Sequence, residues 1–177
     1  MSIHLALIQD MPVKQHYNKT LEQGIDFLIT LSDQGYLTPK TPGWSPVGRH
    51  FRHIIDHFLA IKTAMANKVV NYDQRHRGSK TERNRALAIQ QLQSLQHWLT
   101  ELDDAILDQP VIVTSDIGIG KCCQVSVQST VGRELMFACS HAIHHYALIK
   151  QLTDNQSQPS DFGLAPATAS FERRLNQ

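Results

Sequence analysis

Apolar side chains recur every three or four residues along four long stretches of this 177-residue chain. That spacing places them on one face of an α-helix, because a helical turn contains about 3.6 residues. The stretches predict helices at about 13–32, 46–66, 81–107 and 130–153. Amphipathic helices of this length must bury their apolar faces against one another. We therefore expect an all-α fold, a four-helix bundle, as one domain over residues 1–177.

Proline and capping residues mark the ends of the predicted helices. Ser45 stands before Pro46, and this order predicts a helix N-cap followed by proline in the first helical position. Ser79 or Thr81 is the expected cap of the third helix, and Pro110 ends it.

The connection between the third and fourth helices has a different pattern. Runs of β-branched residues at 111–113 and 125–127 lie on either side of a segment with two glycines, 118–120. This pattern predicts a small β-hairpin or an extended connection. After the fourth helix, we expect an irregular tail over 154–177, with a short helix near 167–175.

The composition is that of an ordinary globular protein, with 41% hydrophobic and 19% charged residues. A net charge of +1 gives no electrostatic reason to expect nucleic acid or an anionic membrane as a partner. No apolar run approaches the about 20 residues that span a bilayer, and residues 1–10 lack the pattern of a signal peptide. The three cysteines, two of them adjacent, do not suggest a disulfide framework. We therefore expect a cytoplasmic protein.

Six of the ten histidines lie in two short stretches of the predicted second and fourth helices. They are His50, His53, His57, His141, His144 and His145. Residues three or four positions apart share one helix face, so each set lines one side of its helix. Two imidazoles at i and i+4 can bind one metal ion. We expect His53, His141 and His145 to converge across a helix–helix seam on a divalent ion with an open coordination position.

Other interpretations of these histidines remain. The rings can form a hydrogen-bonded polar core without a metal, or a solvated helix face, although the apolar residues around them argue against solvation. A different triplet can also hold the ion, with His50 or His144 replacing one member. Asp56 and Glu134 are candidate carboxylates for accepting a hydrogen bond from a ligating imidazole.

Both histidine stretches resemble motifs of the DinB/YfiT-like superfamily of metal-binding proteins. The first is SPVGRHFRHIID at 45–56, which opens the second helix, and the second is HAIHH at 141–145. In that superfamily one histidine of the second helix joins an H-x-x-x-H pair of the fourth, and the matching residues here are His53, His141 and His145. The resemblance covers about 13–153. It implies an up-down-down-up four-helix bundle, a homodimer, and bound zinc or nickel, with iron as an alternative.

The superfamily includes S-transferases that use small-molecule thiols. The resemblance therefore implies a metal-dependent thiol S-transferase that acts on small electrophiles. His57 and His50 are the expected acid/base residues. Arg75 and Arg77 are the expected partners of a carboxylate on the thiol cofactor, because guanidinium pairs well with carboxylate, and a solvated loop is the alternative for both. A metal-dependent hydrolase and a non-catalytic metal-binding or stress-response module are the alternatives.

Overall fold

The structure, a computed structural model, describes residues 12–153 and 159–175. Its α-helices within these ranges are α1 (Val13–Thr30), α2 (Asp33–Leu37), α3 (Val47–Asn67), α4 (Arg85–Glu101), α5 (Val131–Leu152) and α6 (Pro166–Leu175). Short 3₁₀ segments at Lys80–Glu82 and Asp104–Asp108 lie on either side of α4. The expectations about residues 1–10 and about the start of the tail, 154–158, fall outside the described residues.

The mostly helical fold is confirmed, and α1, α3, α4 and α5 lie where the apolar periodicity predicts long helices. The third helix is shorter than predicted because Asn84 caps it: the Asn84 side-chain oxygen accepts a hydrogen bond from the Leu87 amide at 2.9 Å. Ser79 and Thr81 were wrong as caps. The Thr81 hydroxyl instead donates to the side-chain oxygen of Gln91 at 2.8 Å.

The start of α3 also differs in detail from the prediction. The N-cap of this helix is Pro46, which makes no side-chain capping bond, so Ser45 was wrong as the cap. At the other end of the chain, the predicted irregular tail is helical over α6, close to the short helix expected near 167–175.

The predicted hairpin is present and belongs to a larger sheet. Strands β2 (Pro110–Asp116) and β3 (Gln124–Thr130) pair antiparallel, with Val113 opposite Val127. A third strand, β1 (Val69–Asn71), pairs parallel with β2 and was not predicted. Strand β1 follows α3 directly, and β3 runs directly into α5. The sheet therefore connects the two helices that carry the histidine stretches.

The four long helices pack against each other around one core. Helix α1 contacts α4 and α5, and α3 contacts the same two helices. Inside the core, the Phe162 ring stacks on Phe27 with centroids 4.4 Å apart and on Tyr146 with centroids 5.0 Å apart. Phe162 belongs to the turn before α6, so the tail of the chain contributes to the core. None of the helices in the described ranges is long and apolar enough to cross a bilayer.

The first turn of α3 packs closely against the 3₁₀ segment before α4. A Cβ atom at Gly48 would lie 2.1 Å from the backbone oxygen of Glu82, which is a clash with backbone. The Tyr36 hydroxyl holds the same segment by donating to the Thr81 carbonyl at 2.7 Å. Glycine at position 48 therefore lets the 3₁₀ segment approach the helix.

Gly48→Ala should lower the free energy of unfolding by about 1–3 kcal/mol, because the added methyl group has no space. Intrinsic helix propensity favours alanine by about 1 kcal/mol, so a net loss identifies the steric contact. Urea unfolding measures the change. Gly132→Ala is the matched control, since its Cβ would lie 3.0 Å from the Leu107 carbonyl oxygen and a shift of a few tenths of an ångström relieves the contact. Equal losses in both variants would contradict the close packing at Gly48.

Candidate metal centre

Helices α3 and α5 bring three imidazole rings together at their seam. The Nε2 atom of His141 lies 2.9 Å from Nε2 of His53 and 3.2 Å from Nε2 of His145. One ring nitrogen from each of the three lies within 4.8 Å of the others. We call His53, His141 and His145 the histidine triad. The predicted convergence of these three residues is therefore present in the structure.

The spacing of the triad nitrogens fits a shared metal ion. Metal–imidazole bonds of about 2.0–2.1 Å place the nitrogens of neighbouring ligands about 2.8–3.4 Å apart in tetrahedral or octahedral geometry. The 2.9 Å and 3.2 Å separations lie in that range. Among the described residues, the group that can hold an ion contains these three histidines and no further ligand. Such a site leaves at least one coordination position to a non-protein ligand.

Helix packing explains why the rings meet. His53 is followed by buried Ile54, which anchors α3 in the core, and α5 carries buried Ala138 and Ala142 around the His141 position. Helices α3 and α5 pack directly against each other. His141 and His145 are one turn apart on α5, so both project from the same face.

Burial keeps the triad imidazoles in the neutral form that binds metals. Desolvation, with repulsion from neighbouring histidines, lowers the pKa of His53 to about 2, of His145 to about 3 and of His141 to about 4. A metal ion competes with protons for the same lone pairs, so a depressed pKa favours metal binding at neutral pH. The triad is therefore already in its ligating protonation state.

His50 contacts the outer side of one triad member. Its Nδ1 atom lies 2.9 Å from Nδ1 of His145, while Nε2 of His145 faces the triad. A neutral His145 that binds an ion through Nε2 carries its proton on Nδ1 and donates it to His50. That donation leaves the remaining proton of His50 on its own Nε2. The structure thus places this predicted acid/base residue as the hydrogen-bond partner of a triad histidine.

His57 is buried and packs behind the triad. Its Nδ1 atom lies 2.9 Å from the His53 carbonyl oxygen, which makes Nδ1 a donor and Nε2 the acceptor. Its ring lies 4.4 Å from the His141 ring and stacks on Tyr72 at 4.9 Å. Desolvation lowers the pKa of His57. His144, in contrast, is exposed and is not a member of the metal-holding group.

The two candidate carboxylates bind other groups. Asp56 accepts hydrogen bonds from Arg52 at 2.9 Å and from the His76 ring at 2.8 Å. Glu134 accepts from the Tyr72 hydroxyl at 2.6 Å, and it thereby positions the ring that stacks on His57. Tyr72 is a residue near the site to which the sequence pattern gave no role, because its side-chain contacts with His57 and Glu134 join distant parts of the chain.

A small pocket of about 190 Å³ opens beside the triad. It is lined by Ser45, Arg49, His50, Arg52, His53, Arg75 and His145. Both arginines predicted to bind a cofactor are exposed, but Arg75 lines the pocket and Arg77 does not. Arg49 and Arg52 were not predicted, although their positions beside His50 and His53 on one helix were a usable signal.

The three cysteines lie away from the triad. Cys139 is buried, and desolvation raises its pKa to about 12, so its thiol stays protonated at neutral pH. Cys122 and Cys123 are exposed in the turn between β2 and β3. The metal-holding group within 12–153 and 159–175 contains none of them.

Comparisons with known proteins agree with this fold and identify its family. Residues 17–149 match the model of the DinB superfamily. A stretch of 102 residues is 39% identical to part of FK506-binding protein 5 from Rhizopus delemar, over 56% of this chain and 26% of that protein. The chain thus spans about a quarter of that relative's length. The fold is similar to the crystal structure of a DinB-like protein from Bacillus subtilis, with a TM-score of 0.56 over 79% of this chain and 88% of that chain. At 15% identity, this likeness concerns the fold alone.

We expect the metal-free protein to lose stability as the pH falls from about 7 towards 4. The triad pKa values in the folded state lie well below the ordinary 6.5, so in this range the unfolded chain binds protons that the folded chain does not. The free energy of unfolding is therefore highest above about pH 6.5 and falls progressively below it. Urea unfolding in the presence of a chelator, at several pH values, measures the loss.

His53→Ala should weaken this pH dependence, because it removes the triad imidazole with the lowest pKa. His97→Ala, a replacement of an exposed histidine on α4, is the control and should keep the wild-type dependence. Identical pH profiles for the two variants would show that the triad is not the source of the effect.

Proposed function

The chain belongs to the DinB superfamily, and we propose that its histidine triad binds a divalent metal ion for the transfer of a small-molecule thiol to a small electrophile. One observation carries the proposal: three neutral imidazoles from α3 and α5 converge beside an open pocket. Three protein ligands with a free position are typical of catalytic metal sites, whereas structural zinc sites have four protein ligands. Zinc and nickel are the ions we propose, with iron as the alternative, because imidazole suits all three.

The bound ion would supply Lewis acidity, which lowers the pKa of a thiol that coordinates it. The protein's own residues orient and complete this site. His50 holds the His145 ring through the contact between their Nδ1 atoms, and its Nε2–H is left as a donor in the pocket lining. In His57 the Nε2 atom is the free acceptor, and the His57 ring lies 4.4 Å from the His141 ring. His50 and His57 are therefore the proposed proton-transfer residues, and His50 is the one that lines the pocket.

The transfer consists of one substitution. A bond forms between the thiol sulfur and the electrophilic carbon, the bond from that carbon to its leaving group breaks, and the thiol proton passes to a histidine or to water. The same site would suit a hydrolase if water replaced the thiol. A non-catalytic metal-binding role is less well supported, because no fourth protein ligand closes the triad within the described ranges.

The finer features of the fold also belong to this proposal. The mutual packing of α1, α3, α4 and α5 supports a four-helix bundle. We propose its up-down-down-up connectivity and a homodimeric assembly from the superfamily, and a cytoplasmic location from the composition.

Protein purified without a histidine tag should contain about one divalent ion per chain, and His145→Ala should contain almost none. Removal of one imidazole leaves two ligands, which bind far more weakly than three. Elemental analysis after dialysis measures the ratio. His97→Ala, which leaves the triad intact, is the matched control and should keep the wild-type content. Wild-type metal content in His145→Ala would contradict the assigned ligands.

The metal-loaded protein should accelerate the conjugation of thiols with activated aryl halides, and His145→Ala should reduce the rate by about tenfold or more. The expected size follows from the thiol pKa of about 8.5, which leaves only a few per cent thiolate at neutral pH when no metal is bound. Absorbance of the conjugate measures the rate with a panel of small thiols. Ester hydrolysis without any thiol would favour the hydrolase instead. Inactivity in both assays would leave only the non-catalytic role.

A further inference from the structure

We propose that Arg75 binds a carboxylate or phosphate group on the small molecule that occupies the triad pocket. This inference rests on the proposed function and narrows its substrate class to anionic ligands. It depends on the charges around the pocket, on the anchoring of the loop that carries Arg75, and on the size of the pocket.

Positive charge dominates the pocket lining. Three arginines are among its seven lining residues, and no aspartate or glutamate is. Arg52 is buried and already neutralised, because it bonds to Asp56 at 2.9 Å and to Glu82 at 3.0 Å. Arg49 lies 3.8 Å from the second carboxylate oxygen of Glu82. Arg52 is therefore committed to carboxylates within the protein, whereas Arg49 is an exposed side chain with one long contact to Glu82.

Within the described part of the chain, Arg75 has no such carboxylate partner. Its Nε atom donates to the Tyr72 carbonyl oxygen at 3.2 Å, and no carboxylate of the described residues lies within ion-pair distance of its guanidinium. Its charge nevertheless acts on the site, because it helps to lower the pKa of His53 and of His141. An unpaired guanidinium at a pocket is a donor fork that matches a carboxylate or phosphate.

The loop that carries Arg75 is anchored on both sides of it. On one side, the Asp73 carboxylate accepts a hydrogen bond from the Asp116 amide of β2 at 2.7 Å. On the other, the His76 amide and ring both bond to Asp56 on α3, at 3.2 Å and 2.8 Å. Arg75 therefore belongs to a pre-organised segment, which lowers the entropy cost of binding a ligand. This anchoring distinguishes it from a solvated arginine on a mobile loop.

The ion that we propose for the triad would add positive charge to this pocket, and three neutral imidazoles would not cancel it. A ligand with a negative group near its metal-binding atom is therefore favoured electrostatically. The volume of about 190 Å³ is below the about 300–1,000 Å³ of pockets for drug-sized ligands, so the ligand must be short. A short thiol acid satisfies both conditions.

The test uses the zinc-loaded protein and thiols of similar length. Isothermal calorimetry compares 3-mercaptopropionate with the neutral 3-mercaptopropanol, and 2-mercaptoethylphosphonate distinguishes a phosphate preference from a carboxylate preference. The wild type should bind at least one of the two acids about tenfold or more tightly than the alcohol. Arg75→Gln should reduce this preference to about twofold or less. Arg77→Gln removes a charge from the same loop outside the pocket, and it should keep the wild-type preference.

Equal binding of acid and alcohol by the wild type would overturn the inference. So would equal losses in Arg75→Gln and Arg77→Gln, which would indicate only a general effect of loop charge. Zinc content, measured in the same samples, separates the two levels of failure. About one ion per chain without acid preference rejects Arg75 alone, whereas absence of zinc from the wild type rejects the metal site and the inference with it.

Discussion

The packing of α3 against α5 is the contact on which the candidate site depends. His53 and His141 are 88 positions apart in the chain, yet their Nε2 atoms lie 2.9 Å from each other. A metal site tolerates only a few tenths of an ångström in its ligand distances, so the two helices must be held in one register. The sheet contributes to this, because β1 continues from α3 and β3 leads into α5 while both pair with β2.

Burial of the triad has a cost that a bound ion would offset. The strongly lowered pKa values show that these rings resist protonation. Their lone pairs lie close together, with the Nε2 atoms of His141 and His145 3.2 Å apart. An ion that binds the folded chain but not the unfolded chain stabilises the folded state by mass action. An ion bound to the triad would therefore stabilise the packing of α3 against α5.

A second group of polar contacts organises the surroundings of the site. Arg52, Asp56, His76 and Glu82 connect α3 to the loop and to the 3₁₀ segment before α4. The buried ion pair between Arg52 and Asp56 contributes more to geometry than to net stability. The effect of these contacts is to hold the loop beside the pocket, so that Arg75 lies close to the triad. The carboxylate of Asp56, suggested by sequence as a partner for a ligand, serves this anchoring instead.

The amino-acid sequence by itself indicated the positions of the long helices, the hairpin and the histidine-lined face of each helix, and the resemblance of its two motifs indicated the family and the triad. The helices and the histidine faces are local features, because apolar periodicity and i, i+4 spacing are properties of a single helix. Tertiary structure alone decided the pairing of β1 with β2, the insertion of Phe162 into the core, the contact of His50 with His145, and the placement of Arg75 rather than Arg77 at the pocket. Each of these joins residues that are distant in the chain, so each depends on how the elements pack and not on any pattern within one of them.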